Sequence, residues 1–186
     1  NYIYSINDYE IASEITYDDP LYKPNNELGL ATPDDPLYST QSNIVSTNID
    51  DVWTDYNTGD GTQIIAIIDT GVDYTHPDLE ANIWINTAEQ NGVEGFDDDG
   101  NGYIDDIRGW DFINNDNAPL DDNMHGTHVA GIAGAVGNNG LGISGAAWNV
   151  KLMPIKVFQS SGRGNSADIA KAVEYATSNG ATIQNM

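Results

Sequence analysis

Ile64-Ile65-Ala66-Ile67-Ile68-Asp69 is a run of apolar residues closed by a carboxylate and followed at once by Thr70-Gly71. A continuous, isoleucine-rich run of this length predicts a strand buried on both faces, the kind found in parallel sheets covered by helices. Working outward, 150–158 has the same character and predicts a second buried strand; 181–186 starts a third. Helical patterns lie between them. The stretch 125–136 places Val129, Ile132, Ala133 and Val136 on one face. The stretch 167–178 is apolar at Ile169, Ala170, Val173 and Ala176, with Ser166 as its N-cap and Asn179-Gly180 at its end. Residues 50–56 read as a short helix with Asp50 near its N-cap, 59–61 as a turn, and 91–106 as a Gly/Asp/Asn-rich loop. Strands alternating with helices define an α/β fold with a mostly parallel sheet flanked by helices. The sequence stops inside the third strand, which reads as truncation.

The 186 residues are long enough for one domain, with or without a tail. Residues 1–47 show no sustained period and carry Pro20, Pro24, Pro33 and Pro36. Charge is lopsided: 29 Asp+Glu against 6 Lys+Arg, a formal net charge of −23. Such a surface excludes nucleic acid and anionic membrane as partners, and leaves a generally acidic surface and bound divalent cations as its readings. No apolar run approaches a membrane span. The absence of cysteine excludes a disulfide scaffold and a thiol nucleophile.

Two motifs carry the chemistry. Ile67-Ile68-Asp69-Thr70-Gly71-Val72-Asp73 places Asp69 at a strand end, and His125-Gly126-Thr127-His128-Val129-Ala130-Gly131 places His125 at the start of a small-residue helix. A histidine general base needs a carboxylate to fix its tautomer and stabilise the imidazolium. Alone, each residue is more readily a cap or a solvated side chain. Together, 56 residues apart and in this order, they resemble the first two members of the Asp–His–Ser triad of the subtilisin-like serine proteases, the peptidase S8 family. The likeness covers about 35–186. It implies a three-layer α/β/α catalytic domain, here its N-terminal part, with 1–31 a propeptide remnant or a linker and 32–186 the enzyme. Asn1-Tyr2-Ile3-Tyr4 resembles a final propeptide strand.

The resemblance implies a serine endopeptidase working through an acyl-enzyme, with Asp69 and His125 present and the serine absent. It further implies a monomer, secreted, with a peptide or protein substrate and its own propeptide as partners. The segment 157–165 is similar to the family's substrate-binding edge strand. There Gly162, Arg163 and Gly164 would offer backbone hydrogen bonds, with Phe158, Ser166 and Ile169 near the substrate pockets. Met124 stands before His125 where glycine is usual in the family. Ser144 lacks the setting of a nucleophile and reads as a loop residue. The alternatives are a noncatalytic calcium-binding domain and a pseudoprotease acting as a binding module.

Asp97, Asp99, Asn101, Tyr103 and Asp105 occupy places 1, 3, 5, 7 and 9 of an EF-hand-like loop, with Gly102 at place 6. Arg108 stands at place 12 instead of a bidentate glutamate, so another nearby acid, such as Asp106, would have to close the site. The plain alternative is a solvated acidic turn. A second calcium site is implied by the resemblance alone, from Gln41, Asp78 and Asn139 with the carbonyls of Leu141 and Ile143. Hard oxygen donors of this kind suit Ca2+ as a structural ion.

Overall fold

The computed structural model describes residues 32–186 apart from Tyr56. The propeptide or linker reading of 1–31 and the last residue of the helix expected over 50–56 lie outside the described residues. The elements are α1 (Ser42–Thr47), α2 (Ile49–Asp55), β1 (Ile64–Asp69), α3 (Thr87–Gln90), β2 (Trp110–Asp111), α4 (His125–Gly134), β3 (Lys151–Lys156), α5 (Ser166–Ser178) and β4 (Ile183–Asn185). The strands form one sheet in the order β2-β3-β1-β4, with every pairing parallel.

Alternation along β1 divides the core in two. Ala66 and Ile68 pack with Met153 and Ile155 of β3 beneath Ala172, Tyr175 and Ala176 of α5. Ile65 and Ile67 turn to the other face and pack with Leu152 and with Ala130 of α4. Each isoleucine withdrawn from water in this way contributes about 1.5–3 kcal/mol. The result is the expected helix–sheet–helix layering. A smaller cluster of Ile44, Trp53 and Trp148 anchors α1 and α2, with the Trp53 indole N–H donating to the Ala146 carbonyl at 2.9 Å.

Several local expectations are corrected. Asn165, not Ser166, caps α5; its side chain accepts from the Asp168 amide. The buried face of α4 is Gly126, Ala130, Gly131 and Gly134, while Ile132 is exposed and the helix ends before Val136. Glycine at these positions lets α4 lie closer to the sheet than branched side chains would. In α5, Ala170 is exposed and Ala172 and Tyr175 take the core positions. The first helix divides at Asn48, in the left-handed region at φ 54°, so α2 starts at Ile49 rather than at an Asp50 cap. No described helix is long and apolar enough to cross a membrane.

Candidate active site

The sheet brings Asp111, Lys156 and Asp69 side by side at the carboxyl ends of β2, β3 and β1. In open parallel sheets that edge is where sites are built. Asp69 is 4% exposed, and its Oδ1 accepts from the Thr70 amide at 2.6 Å. Both of its carboxylate oxygens lie 2.8 Å from Nδ1 of His125. The carboxylate therefore fixes the proton on Nδ1 and leaves Nε2 as the basic nitrogen, with no hydrogen-bond partner among the described residues. The His125 side chain is 66% exposed, so its free nitrogen is open to a reactant. The Asp69 hydrogen bond, then the Asp69 charge, raises the His125 pKa above 6.5, against a smaller opposing effect of burial.

The start of α4 is held to β1 by a polar net absent from the sequence reading. The Gly126 amide donates to the Thr70 hydroxyl at 3.0 Å, and that hydroxyl donates to Asp121 at 2.8 Å. Asp121 also accepts from the amides of Asn123, Met124 and Thr127 and from the Thr127 hydroxyl. Burial would raise the Asp121 pKa, but these hydrogen bonds outweigh it and hold the carboxylate below its usual range. A carboxylate at a helix N-terminus also meets the positive end of the helix dipole. Gly126 allows the approach: a Cβ there would lie 2.1 Å from the Gly71 carbonyl oxygen.

The sequence-predicted substrate residues follow β3. Phe158 and Ile169 are half-buried, whereas Gly162, Arg163, Gly164 and Ser166 are exposed. Gln159 donates to the Arg163 carbonyl at 2.9 Å and accepts from the Gly162 amide at 2.8 Å, forming a turn with Gly162 at φ 74°. The Gly162 carbonyl and Gly164 amide have no partner among the described residues. A cavity of about 520 Å3 is separate from the pair, lined by His76, Leu79, Met124, Thr127, His128 and Gly142 rather than by Asp69 or His125. Ser144 is fully buried, its hydroxyl committed to Asp35, in keeping with a loop role.

Carboxylate oxygens of Glu89, Asp97 and Asp99 come within 4.8 Å of one another. Glu89, on α3, is outside the motif; the only hint of it in the sequence is an acid shortly before the loop. It is 4% exposed and accepts from the amides of Asp98, Asp99 and Asp105. Asn101 donates its side-chain N–H groups to Asp99 and Asp106 and accepts from the Tyr103 amide, and the Asp105 carboxylate accepts from the Gly95 amide. Tyr103 packs its ring on Trp110, Phe112 and Tyr175. Asp106 is fully buried and accepts from the Tyr175 hydroxyl, Asn86 and Asn101. Burial raises its pKa to about 6, against the lowering effect of those hydrogen bonds. Arg108 faces away, 5.4 Å from the centre of the Tyr74 ring.

Of the residues of the second expected site, Asp78 meets Asn139 and Ile143, accepting from the Asn139 side chain at 2.9 Å and from the Ile143 amide at 3.0 Å. Asn139 also accepts from the Leu141 amide. Gln41 forms a two-bond fork with the backbone of Ser144. Asp35, not anticipated from the sequence, is 4% exposed and accepts from the amides of Asn138 and Asn139.

Fold and site together place a buried carboxylate against an exposed histidine at the carboxyl edge of a parallel α/β sheet. The Subtilase family pattern matches residues 60–186, and the chain belongs to that family. It is 47% identical over 121 residues to Subtilisin-like protease 1 of Plasmodium falciparum (isolate 3D7), covering 65% of this chain and 18% of that protein. It is 39% identical over 166 residues to the Thermophilic serine proteinase of Bacillus sp. (strain AK1), covering 88% of this chain and 35% of that one. Thermitase of Thermoactinomyces vulgaris is 35% identical over 153 residues, 82% of this chain and 46% of its own length. The chain thus spans less than half the length of each of these relatives.

Proposed function

We propose that this chain carries the Asp–His half of a secreted, calcium-stabilised serine endopeptidase acting on peptide or protein substrates. The observation that carries the reading is the contact of both Asp69 oxygens with Nδ1 of His125 at 2.8 Å, in a chain of the subtilase family. Asp69 orients His125, and Nε2 of His125 takes the proton from a serine hydroxyl encoded beyond Met186 as that oxygen attacks the scissile carbonyl. The proton then passes to the leaving amine, and water releases the acyl group by the same base. The exposed turn at 162–164 offers a carbonyl and an amide to an extended peptide as a further strand.

Calcium is part of the proposal. Glu89, Asp97 and Asp99 supply hard, anionic oxygens within reach of one ion, with Asn101, Tyr103 and Asp105 in the surrounding loop. Asp78, Asn139, Gln41 and the carbonyls of Leu141 and Ile143, joined by Asp35, form a second candidate set. Bound Ca2+ would supply charge neutralisation and pin loops.

The test begins with the reading frame past Met186. The complete protein is expected to encode a serine in a Gly-Thr-Ser-Xaa-Ala setting, to take a fluorophosphonate label and to hydrolyse peptides. A reading frame without that serine, or a complete folded protein that neither labels nor hydrolyses, would reject the reading.

A further inference from the structure

Lys156 is the last residue of β3 and pairs in register with Asp69. It is 2% exposed, yet it carries an ammonium to which the triad assigns no role. All three of its N–H donors are used, and each goes to a different segment. Nζ donates to the Thr70 carbonyl at 2.6 Å, to Asp122 at 2.7 Å and to the Phe158 carbonyl at 2.9 Å. Thr70 follows the orienting Asp69. Asp122 precedes the base His125 by three residues, and Phe158 lies in the 157–165 segment expected to hold substrate. Burying a cation is costly unless it is paired and fully hydrogen-bonded, and here it is both. A second link runs parallel to it, from the Asn123 side chain to the Ser160 carbonyl at 2.6 Å.

We propose that Lys156 is a positioning residue for peptide hydrolysis, holding the substrate-binding segment in register with the Asp69–His125 pair. The inference rests on the protease reading above. The amides of Val157 and Phe158 donate to the Asp69 carbonyl and carry the backbone ladder one step past the strand ends. Lys156 adds three hydrogen bonds from one buried point and ties both of these segments to the loop before α4. A displacement of about 1 Å at a reacting centre costs about 10²-fold in rate. Substrates that use the 158–164 segment therefore depend on Lys156, and small substrates that meet only the base and nucleophile do not.

The complete protease is assayed as wild type, Lys156→Met and Lys156→Arg on p-nitrophenyl acetate and on a tetrapeptide anilide, with the folded fraction taken from thermal melts. Per folded molecule, Lys156→Met is expected to lose about 10²-fold in kcat/KM on the peptide and little on the ester. Lys156→Arg, which keeps the cation and its donors, recovers most of the peptide activity. Should Lys156→Met not fold, Asp122→Ala gives the same readout, because that side chain is 53% exposed and its loss removes one of the three links. Equal losses on both substrates, or no loss on the peptide, would overturn the inference while leaving the protease reading intact. A wild type inactive on both substrates and unlabelled by fluorophosphonate would overturn that reading, and this inference with it.

Discussion

His125 titrates in a window where its protonation decides whether it can act. Asp69 raises its pKa above 6.5 by hydrogen bond and charge, so the neutral base is fully available only above that raised value. In the complete protein, kcat/KM on peptides is expected to fall as pH drops through it. The same shift means that the Asp69 contact stabilises the fold below the unfolded value of 6.5, and that this contribution is lost as pH rises through the folded value. Asp69→Asn removes the cause: turnover should fall about 10⁴-fold and the acid limb should move to lower pH. An acid limb that stays in place would show that another group controls it. Next to the base, Met124 sits in the left-handed region at φ 83° and is 80% exposed. A non-glycine residue there costs about 1–2 kcal/mol, partly offset by the added chain entropy of glycine. Met124→Gly should therefore raise stability by about 0.5–1 kcal/mol in a denaturant melt, and an unchanged or lower midpoint would refute the strain. The Asp69–His125 pairing and the unusual Met124 were legible in the sequence, because each lies inside a contiguous motif. Thr70, Asp121 and Lys156 were not, because their partners come from segments far apart in the chain.

At the scale of elements, two of the three glycines of α4 divide strain from tolerance. At Gly126 an added Cβ would press on the Gly71 carbonyl oxygen at 2.1 Å and on Cβ of Asp69 at 3.0 Å, both parts of the β1 end that α4 must meet. Backbone cannot retreat without separating Asp69 from His125. At Gly131 an added Cβ would meet Cδ1 of Ile143 at 3.4 Å, the tip of a side chain that can rotate. Gly126→Ala is expected to lose about 1–3 kcal/mol and most activity. Gly131→Ala, mid-helix, should gain up to about 1 kcal/mol from helix propensity. Paired melts of the two variants check this, and equal effects would refute it. The elements legible in the sequence were the long ones: β1 and β3 as apolar runs, α4 and α5 as helical patterns with end signals. The helix α1, the single-turn α3 and the two-residue β2 carry too few residues for a period to show. Their existence depends on what they pack against. The cap of α5 was misplaced by one residue because Asn165 and Ser166 are both good caps, and only the hydrogen bond to Asp168 distinguishes them. The face of α4 was read in part: Val129 and Ala133 pack against the core as expected, but hydrophobicity also pointed to Ile132, whereas close approach selected glycine and alanine for the buried positions.

Over the whole molecule, a net charge of −23 opposes compaction, and two clusters of acids, one with buried Glu89, half-buried Asp97 and exposed Asp99 and one with buried Asp35 and Asp78, concentrate that repulsion. The Asp97–Asp105 loop was legible as a cation motif. Its contact with Glu89 was not, since α3 lies outside the motif's spacing. If the acids are cation sites, calcium binds the folded state alone and stabilises it by mass action, about 2.7 kcal/mol at 100 times its Kd. If they are only a solvated acidic surface, any salt screens them alike. The two cases separate in a melt of the complete protein stripped with EGTA. Calcium should raise the midpoint well beyond sodium at matched ionic strength, and Glu89→Gln with Asp97→Asn should remove much of that excess. Asn substitution at Asp78 addresses the second set of donors in the same way. Equal shifts from calcium and sodium would assign the acids to the surface. A calcium-specific shift that survives loss of Glu89 and Asp97 but not of Asp78 would place the stabilising ion beside Asn139 rather than in the 97–105 loop.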